Sequence, residues 1–210
     1  LRDSVAQIRP YLMAAGEDKE IADMLVGLVR KQFFYVNLDP YANAFNQEAN
    51  GNCWEHDETD MLPWIWERKY ELDSLCYPIQ LAYLVWKNTG RTDHFDETFV
   101  KGVRRILEVW RTEQHHEERS PYHFVRKNCY FTDTLSRGGK GALVKSGTGL
   151  IWSGFRPSDD SCVYGYLIPS NMFAVVVLGY LAEIANQVLG DEALAAEAEA
   201  FRMEVKEAIE

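Results

Sequence analysis

The sequence predicts an all-α protein in which amphipathic helices alternate with apolar ones. Apolar residues recur at steps of three and four, and no other periodicity repeats along the chain. Two runs, Leu72 to Trp86 and Met172 to Ala182, carry a single charge between them, so their apolar character continues around the helix. Such alternation is typical of an α/α toroid, in which buried inner helices are wrapped by an outer amphipathic ring.

The outer type of helix is predicted in three places. Ile21 to Phe33 and Phe95 to Trp110 collect their apolar residues on one side, as helices packed on a single face do. Ala193 to Glu210 is rich in Ala and Glu and is expected to expose most of its surface. Gly90 and Gly190 follow the apolar runs and are expected to act as C-caps.

Two long connections precede the predicted inner helices, roughly Tyr35 to Tyr70 and His115 to Ile168. Loops of this length in a compact domain are usually functional. Within the second, His115 and His116 stand among Glu and Arg, so we expect this pair at the solvated surface. The binding chemistry is therefore expected elsewhere in the two loops, at one end of the helices.

The stretch from Trp152 to Met172 carries side chains suited to a sugar. It combines two adjacent carboxylates, Asp159 and Asp160, with Arg156 and several aromatic rings. Aromatic faces stack on a pyranose, Arg and Asp bind hydroxyl groups, and a carboxyl group among rings can keep the raised pKa of a proton donor. Adjacent side chains in an irregular loop usually point apart, so one carboxylate is expected to face a pocket.

Composition excludes several other classes of function. The 210 residues are 47% hydrophobic and 26% charged, which is typical of a soluble folded chain. The net charge of −10, without a basic stripe, argues against nucleic acid as a partner. The longest apolar run, Met172 to Ala182, is shorter than a bilayer is thick, so no membrane segment is predicted.

The cysteines indicate free thiols in a reducing compartment. Cys53, Cys76, Cys129 and Cys162 are widely spaced and form no Cys-x-x-Cys pattern. Cys53 and His56 stand at ligand spacing, but one such pair does not make a zinc site. No metal and no other cofactor is therefore predicted.

Both ends of the sequence indicate part of a longer protein. The chain opens on Leu1 instead of Met, and no Gly or Pro stops the helical pattern before Glu210. We therefore expect one partial domain over residues 1–210 that lacks the first helix and the C-terminal half of the ring.

Three segments carry long, ordered motifs: Leu1-Arg2-Asp3-Ser4, then Trp64 through Pro78, and then Phe155 through Val176. Together they resemble the motifs of glycoside hydrolase family 125, whose members are metal-independent exo-α-1,6-mannosidases. The resemblance covers the whole chain, although the family's domain is considerably longer.

The resemblance implies an (α/α)6 barrel, of which this chain is about half, that removes terminal α-1,6-linked mannose with inversion. Inversion needs a carboxylic acid to protonate the leaving oxygen and a carboxylate to activate water on the opposite face. The family's acid is the first Asp of the Arg-Pro-Ser-Asp-Asp motif, which is Asp159 here. Its base is a Glu in the later half of the domain, so these 210 residues alone are expected to be inactive.

Ten further residues are expected to bind the substrate, an α-mannoside or an N-glycan fragment. They are Arg2, Asp3, Asp60, Trp64, Glu67, Arg68, Asp73, Arg156, Asp160 and Tyr166. For the charged members, the competing interpretation is a structural ion-pair network at the mouth of a buried helix.

Two alternatives to the mannosidase stay open at this point. One is a non-catalytic mannoside-binding toroid, and the other is a toroid polysaccharide lyase or epimerase, which commonly transfers protons through His or Tyr. The loops offer only His56 and His123 for that role. Asn43, Asn50 and Asn128 are not glycosylation sequons, so a cytoplasmic enzyme is expected unless a signal peptide precedes the chain.

Overall fold

Eight helices and one small sheet make up the computed structural model, which describes residues 1–210. The helices are α1 (Arg2–Ile8), α2 (Lys19–Leu38), α3 (Leu72–Thr89), α4 (Glu97–Glu113), α5 (His116–Arg119), α6 (Ser136–Gly139), α7 (Ile168–Ile184) and α8 (Glu192–Ile209). The strands β1 (Ala44–Phe45) and β2 (Ile65–Glu67) pair antiparallel within the first long loop. The chain is therefore mostly helical, as predicted.

Local side-chain chemistry sets the helix ends. Asp18 accepts hydrogen bonds from the backbone N–H groups of Glu20 and Ile21 at 2.9 and 3.2 Å, which begins α2. Gly90 and Gly190 have φ angles of 70° and 64°, the left-handed conformation that ends a helix. Both predicted C-caps are confirmed.

The helices pack in two layers. α3 and α7 lie side by side, α2 packs on α3, and α8 packs on α7. α4 packs on α2 and reaches α8 through Trp110, whose ring meets that of Phe201 with 6.4 Å between centroids. The predicted inner helices are thus neighbours with outer helices behind them. Closure of such layers into an (α/α)6 barrel stays a prediction.

The expectation that both inner helices are buried on all sides is wrong for α7. α3 is buried or half-buried from Leu72 to Trp86. On α7, however, Ile168, Met172 and Val176 are 39%, 55% and 45% exposed, and their four-residue spacing puts them in one stripe. No helix within residues 1–210 packs against this stripe, so its apolar side chains face solvent.

α7 is the first part of a helical segment that is longer than the apolar run Met172 to Ala182 suggested. With a π-helical turn it extends over 22 residues from Ile168 to Leu189, and an 18-residue window within it has a mean hydropathy of 1.7. By length and composition alone it is able to cross a membrane, which the shorter run Met172 to Ala182 did not indicate. The core helix of a soluble protein passes the same test, and α3 and α8 pack against this segment.

Candidate active site

A cavity of about 780 Å³ opens where the two long loops meet the first residues of α1 and α3. Its wall also includes the middle of α2 and the loop between β1 and β2. Four of the predicted site residues lie in this wall, namely Arg2, Asp3, Glu67 and Asp159. The fold therefore gathers in one place residues from both long loops and from the start of the chain.

Arg2 is the centre of charge in the cavity. Its guanidinium group donates to both carboxylate oxygens of Glu71 at 3.1 Å and to Oδ1 of Asp159 at 3.3 Å. Oδ2 of Asp73 lies 3.9 Å from it. Burial opposes the positive charge, but Glu71, Asp159 and Asp73 outweigh burial and raise the pKa of Arg2. Arg2 therefore stays a cation and draws three carboxyl groups together.

Two of these carboxyl groups are buried behind Arg2. The side chains of Glu71 and Asp73 are 1% and 4% exposed. Burial raises the pKa of Glu71 to about 8, and a hydrogen bond with Asp159 adds to the rise, while Ser74 and Arg2 oppose it. Burial also raises the pKa of Asp73 above its usual value, against the effect of Arg2. Burial therefore favours the protonated form of Glu71, beside Asp159.

Asp159 lies on the cavity wall in an unusual backbone conformation. Its φ angle is 65°, in the left-handed region that costs a residue with a side chain roughly 1–2 kcal/mol. Its N–H group donates to the carbonyl of Arg156 at 2.8 Å, and its own carbonyl accepts from Nζ of Lys69 at 2.6 Å. Its half-exposed side chain is held by Arg2. Asp159 therefore offers an open carboxyl group to a ligand, as does the exposed Asp3 in the same wall.

Arg156 and Asp160 do not line this cavity. The two side chains form an ion pair with each other, and the hydroxyl group of Ser158 donates to Asp160. These hydrogen bonds, with that from Arg156 the larger, lower the pKa of Asp160. The adjacent carboxylates thus have different surroundings, with Asp160 bracing the turn that carries Asp159.

A second guanidinium group contributes to the wall of the cavity. Arg126 donates to both carboxylate oxygens of Asp57 at 2.7 Å and to Oε1 of Glu67 at 2.9 Å. The other oxygen of Glu67 accepts from the side-chain amide of Asn43 at 3.0 Å. Glu67 is therefore held rigidly from two sides by loop residues.

Two tryptophans stand at the rim. Trp54 and Trp66 are both exposed, both line the cavity, and their ring centroids are 6.3 Å apart. Exposed indole faces beside hydrogen-bonding groups suit the apolar face of a pyranose. Trp64, the other predicted tryptophan, instead meets the ring of Phe34 edge-on at 5.2 Å, beneath the ammonium group of Lys31.

Three more predicted residues lie away from the cavity. Asp60 and Arg68 border a separate depression of about 500 Å³, where Arg68 donates to the buried Asp39 at 2.7 Å. The hydroxyl group of Tyr166 donates to the carbonyl of Lys145 at 2.8 Å. In this structure the contacts of Asp60, Arg68 and Tyr166 are therefore structural.

Sequence reasoning assigned no site role to several residues of the wall, namely Asn43, Trp54, Lys69, Arg126 and Asp133. Lys69 lies inside the Trp64 to Pro78 motif, where the density of charges was an available signal. Arg126 and Asp133 lie in a part of the second loop without periodicity or motif, so only the fold brings them to the site.

The expectation of a solvated histidine pair is wrong for His116. Its ring is buried, stacks on Trp152 with 3.6 Å between centroids, and its Nδ1 lies 2.6 Å from the carboxylate of Glu113. The chain turns inward after α4, so the charged residues next to His116 in sequence gave no indication that His116 itself is buried. His116 belongs to the structural core beneath the second loop.

No three His, Cys, Asp or Glu side chains are grouped so as to hold a metal ion. The four cysteines are free thiols, and Sγ of Cys53 lies 3.6 Å from Nδ1 of His56. The cavity wall carries the carboxyl groups of Asp3, Glu67, Glu71, Asp133 and Asp159.

A second cavity of about 830 Å³ lies on the outer face of α4. Two of its charged side chains are used within the fold, since Arg104 donates to Asp191 at 2.9 Å and Arg105 to the carbonyl of Asn37 at 3.1 Å. It has neither a cluster of buried carboxyl groups nor an exposed tryptophan. The cavity around Arg2 is therefore the better candidate for an active site.

Among solved structures, the chain is similar to a protein of Streptococcus pneumoniae, with 52% identity and a TM-score of 0.95 over 99% of this chain and 49% of that one. That structure, described among metal-independent α-mannosidases that bear on N-linked glycan processing, is a non-productive substrate complex with α-1,6-mannobiose. Among curated proteins, the chain is 33% identical over 212 residues to the meiotically up-regulated gene 157 protein of Schizosaccharomyces pombe, covering 90% of this chain and 40% of that protein.

The chain thus spans less than half the length of these two relatives. Its whole length, residues 1–210, matches the family model described as metal-independent alpha-mannosidase (GH125). The motifs at Arg2, Glu71 and Asp159 that build the cavity all lie within this match. The chain belongs to the metal-independent α-mannosidases of glycoside hydrolase family 125.

Proposed function

We propose that the protein containing this chain is an inverting exo-α-1,6-mannosidase in which Asp159 is the general acid. The observation that carries the proposal is the half-exposed carboxyl group of Asp159 on the cavity wall, with Arg2 at its side chain and Lys69 at its carbonyl. Family membership, and the mannobiose bound to the Streptococcus pneumoniae relative, support the substrate class.

Hydrolysis breaks the bond between C1 of the terminal mannose and the bridging oxygen. Asp159 gives its proton to that oxygen, while a second carboxylate takes a proton from the water that attacks C1 on the opposite face, so the first product is β-mannose. Burial favours the protonated form of Glu71, and in that form Glu71 adds no negative charge beside Asp159 as Asp159 loses its proton. Arg2 fixes both carboxyl groups in place.

Glu71 is a poor choice for the second carboxylate. The two carboxyl groups of inverting enzymes stand about 6.5–9.5 Å apart to leave room for water, and those of retaining enzymes about 5–5.5 Å. Glu71 and Asp159 share one guanidinium group and lie within hydrogen-bonding reach of each other. We therefore assign the base to a Glu outside these 210 residues.

The proposed base requires the rest of an (α/α)6 barrel. The apolar stripe of Ile168, Met172 and Val176 is open on α7, and we expect the remaining helices to cover it. Within the cavity, Arg2, Asp3 and Glu67 are the proposed hydroxyl-binding groups, and Trp54 and Trp66 the proposed stacking faces. The proposed ligand is a terminal mannoside of a shortened N-glycan in the cytoplasm.

The test measures release of mannose from α-1,6-mannobiose by the full-length protein that contains this chain. Asp159→Asn removes the proton donor and is expected to lower kcat/KM by about 10²- to 10⁴-fold. Glu183→Gln is the matched control, because it removes a carboxylate that pairs with Lys87 near the far end of α7. Disaccharide turnover retained by Asp159→Asn overturns the assignment, and α-mannose as first product, read by NMR, overturns inversion.

The same preparation separates the alternatives. A non-catalytic binding protein would bind mannose in calorimetry without cleaving mannobiose. A lyase would release a product with an unsaturated ring that absorbs in the near ultraviolet. Either result would replace the hydrolase proposal.

A further inference from the structure

We propose that Lys69 is the positioning residue for Asp159: its ammonium group holds the backbone of the Asp159 turn so that the carboxyl group meets the cavity. The inference rests on the proposed function of Asp159 as general acid. It assigns to Lys69 a role on the protein backbone rather than on the substrate.

The turn itself explains why such a residue is needed. With a φ angle of 65°, Asp159 adopts a conformation that its surroundings must impose. Two hydrogen bonds of 2.8 Å, between the N–H of Asp159 and the carbonyl of Arg156 and between the N–H of Arg156 and the carbonyl of Asp160, close the turn. Because these bonds are internal, they fix the shape of the turn but not its place relative to the cavity.

Lys69 supplies the backbone contact that ties Asp159 to the other long loop. Its Nζ atom donates to the carbonyl oxygen of Asp159 at 2.6 Å, across 90 positions of sequence. Oε1 of Glu67 and Oδ1 of Asp133 lie 3.8 Å from the same nitrogen, too far for hydrogen bonds. The two carboxylates therefore balance the charge of the ammonium group, and its hydrogen bond goes to the carbonyl of Asp159.

The surroundings of Lys69 indicate a dedicated role. Its side chain is 3% exposed, and a buried ammonium group persists only when it is compensated. The two carboxylates and the ring of Phe155, 5.1 Å from Nζ, supply that compensation. Phe155 directly precedes the turn, and its N–H donates to the carbonyl of Tyr70 at 2.9 Å. The lysine thus lies under the turn that it holds.

The backbone that carries Lys69 is itself fixed. The N–H of Lys69 donates to Oδ1 of Asn43 at 3.0 Å. On either side, the hydroxyl group of Tyr122 donates to the carbonyl of Arg68 and accepts from the N–H of Tyr70, both at 2.9 Å. Lys69 therefore extends from a rigid segment, which is what a positioning residue requires.

The experiment compares two substrates in the full-length protein. α-1,6-Mannobiose has a poor leaving group that needs the acid, whereas 2,4-dinitrophenyl α-mannoside needs little protonation. Lys69→Met is expected to lower kcat on mannobiose by about 100-fold, as a misplaced catalytic group does, while KM changes less than about threefold. Turnover of the aryl mannoside is expected to fall far less, and Lys69→Arg, which restores a donor, to recover part of the loss.

Lys87→Met is the matched control. Lys87 also lies over an aromatic ring, 3.8 Å from the centroid of Trp86, and pairs with a carboxylate, Glu183. It is near the C-terminal end of α3, about 22 Å along the helix from Leu72. Its replacement is expected to leave the ratio of the two activities unchanged.

The ratio of the two activities does not depend on how much of a preparation is folded, so a partly unstable Lys69→Met still reports it. If the variant does not fold at all, Lys69→Gln gives the same readout. Equal losses on both substrates, or a rise in KM alone, would mean that Lys69 binds sugar and would overturn the inference. If Asp159→Asn loses mannobiose turnover but the Lys69 variants keep the wild-type ratio, only the role of Lys69 fails. If Asp159→Asn stays active, the proposed function fails as well.

Discussion

Glu71 and Glu113 are buried carboxyl groups of the same chain in different settings. Glu71 borders the cavity, and its partner Arg2 has a further N–H group that reaches the half-exposed Asp159. Glu113 is enclosed on all sides and borders none of the cavities described above. Burial and hydrogen bonding alone therefore do not distinguish an active-site carboxyl group from a structural one.

Three side chains from the surrounding fold contact the carboxylate of Glu113. The hydroxyl groups of Tyr41 and Ser120 donate to its Oε1 at 2.8 and 2.7 Å, and Nδ1 of His116 lies 2.6 Å from its Oε2. The ring of His116 is in turn stacked on the buried Trp152, so this group of side chains lies inside the core. The difference between the two regions is access, because at Glu71 the chain of contacts continues to a group that faces a cavity.

The largest expected effect is on activity, from Glu71→Gln. Both oxygens of Glu71 accept from Arg2, whereas the amide of Gln offers only one accepting oxygen, so Arg2 is expected to shift to Asp159 and make it a poorer proton donor. We expect kcat/KM on mannobiose to fall about 100-fold, the range for loss of acid catalysis. An unchanged kcat/KM in the full-length protein would place Glu71 with Glu113 among the structural carboxyl groups.

Glu113→Gln is expected to act on stability instead. It leaves donors from Tyr41, Ser120 and His116 facing an amide in a closed space, at a cost of about 2–3 kcal/mol in the free energy of unfolding. Urea denaturation measures this cost. Activity per folded molecule should stay near that of the wild type, and a loss of activity at unchanged stability would break the comparison.

The pH dependence of stability gives a further test of the comparison between Glu71 and Glu113. The pKa of Glu71 is about 8 in the folded protein and its usual value is 4.5, so between these pH values the folded state holds a proton that the unfolded state has lost. This group therefore makes the protein less stable as the pH rises from about 4.5 to 8, with no further change above that range. Glu71→Gln is expected to flatten this part of the profile, and identical slopes in the two proteins would contradict the raised pKa.

The smallest effects are expected from two matched hydroxyl deletions. Ser74 donates to Glu71 at 2.6 Å and Ser120 donates to Glu113 at 2.7 Å. Each change to Ala should cost about 1–2 kcal/mol in the free energy of unfolding. Because the bond from Ser74 lowers the pKa of Glu71, Ser74→Ala should also move the stability profile to higher pH, whereas Ser120→Ala should not. Equal pH profiles of stability for the two variants would argue against the proposed difference between the surroundings of Glu71 and Glu113.

Sequence patterns predicted the five long helices, but not the short α1, α5 and α6, because the determinants of a long helix are local. The apolar spacing of Phe95 to Trp110 and the glycines at 90 and 190 lie within a few residues of the structure that they specify. The same reasoning failed at His116, where charged neighbours suggested solvent, and at α7, where an apolar run suggested complete burial. In both cases the outcome depended on which distant element packs there.

The sequence by itself determined the helical layers, the helix ends and the stretch that carries Asp159, since periodicity, capping and motif chemistry are written in neighbouring residues. Only the tertiary structure decided which charges meet, because Arg2 and Asp159 are separated by 157 positions and Lys69 and Asp159 by 90. It also decided that the pKa of Glu71 is raised, since the cause is burial by elements from several parts of the chain, which no local pattern records.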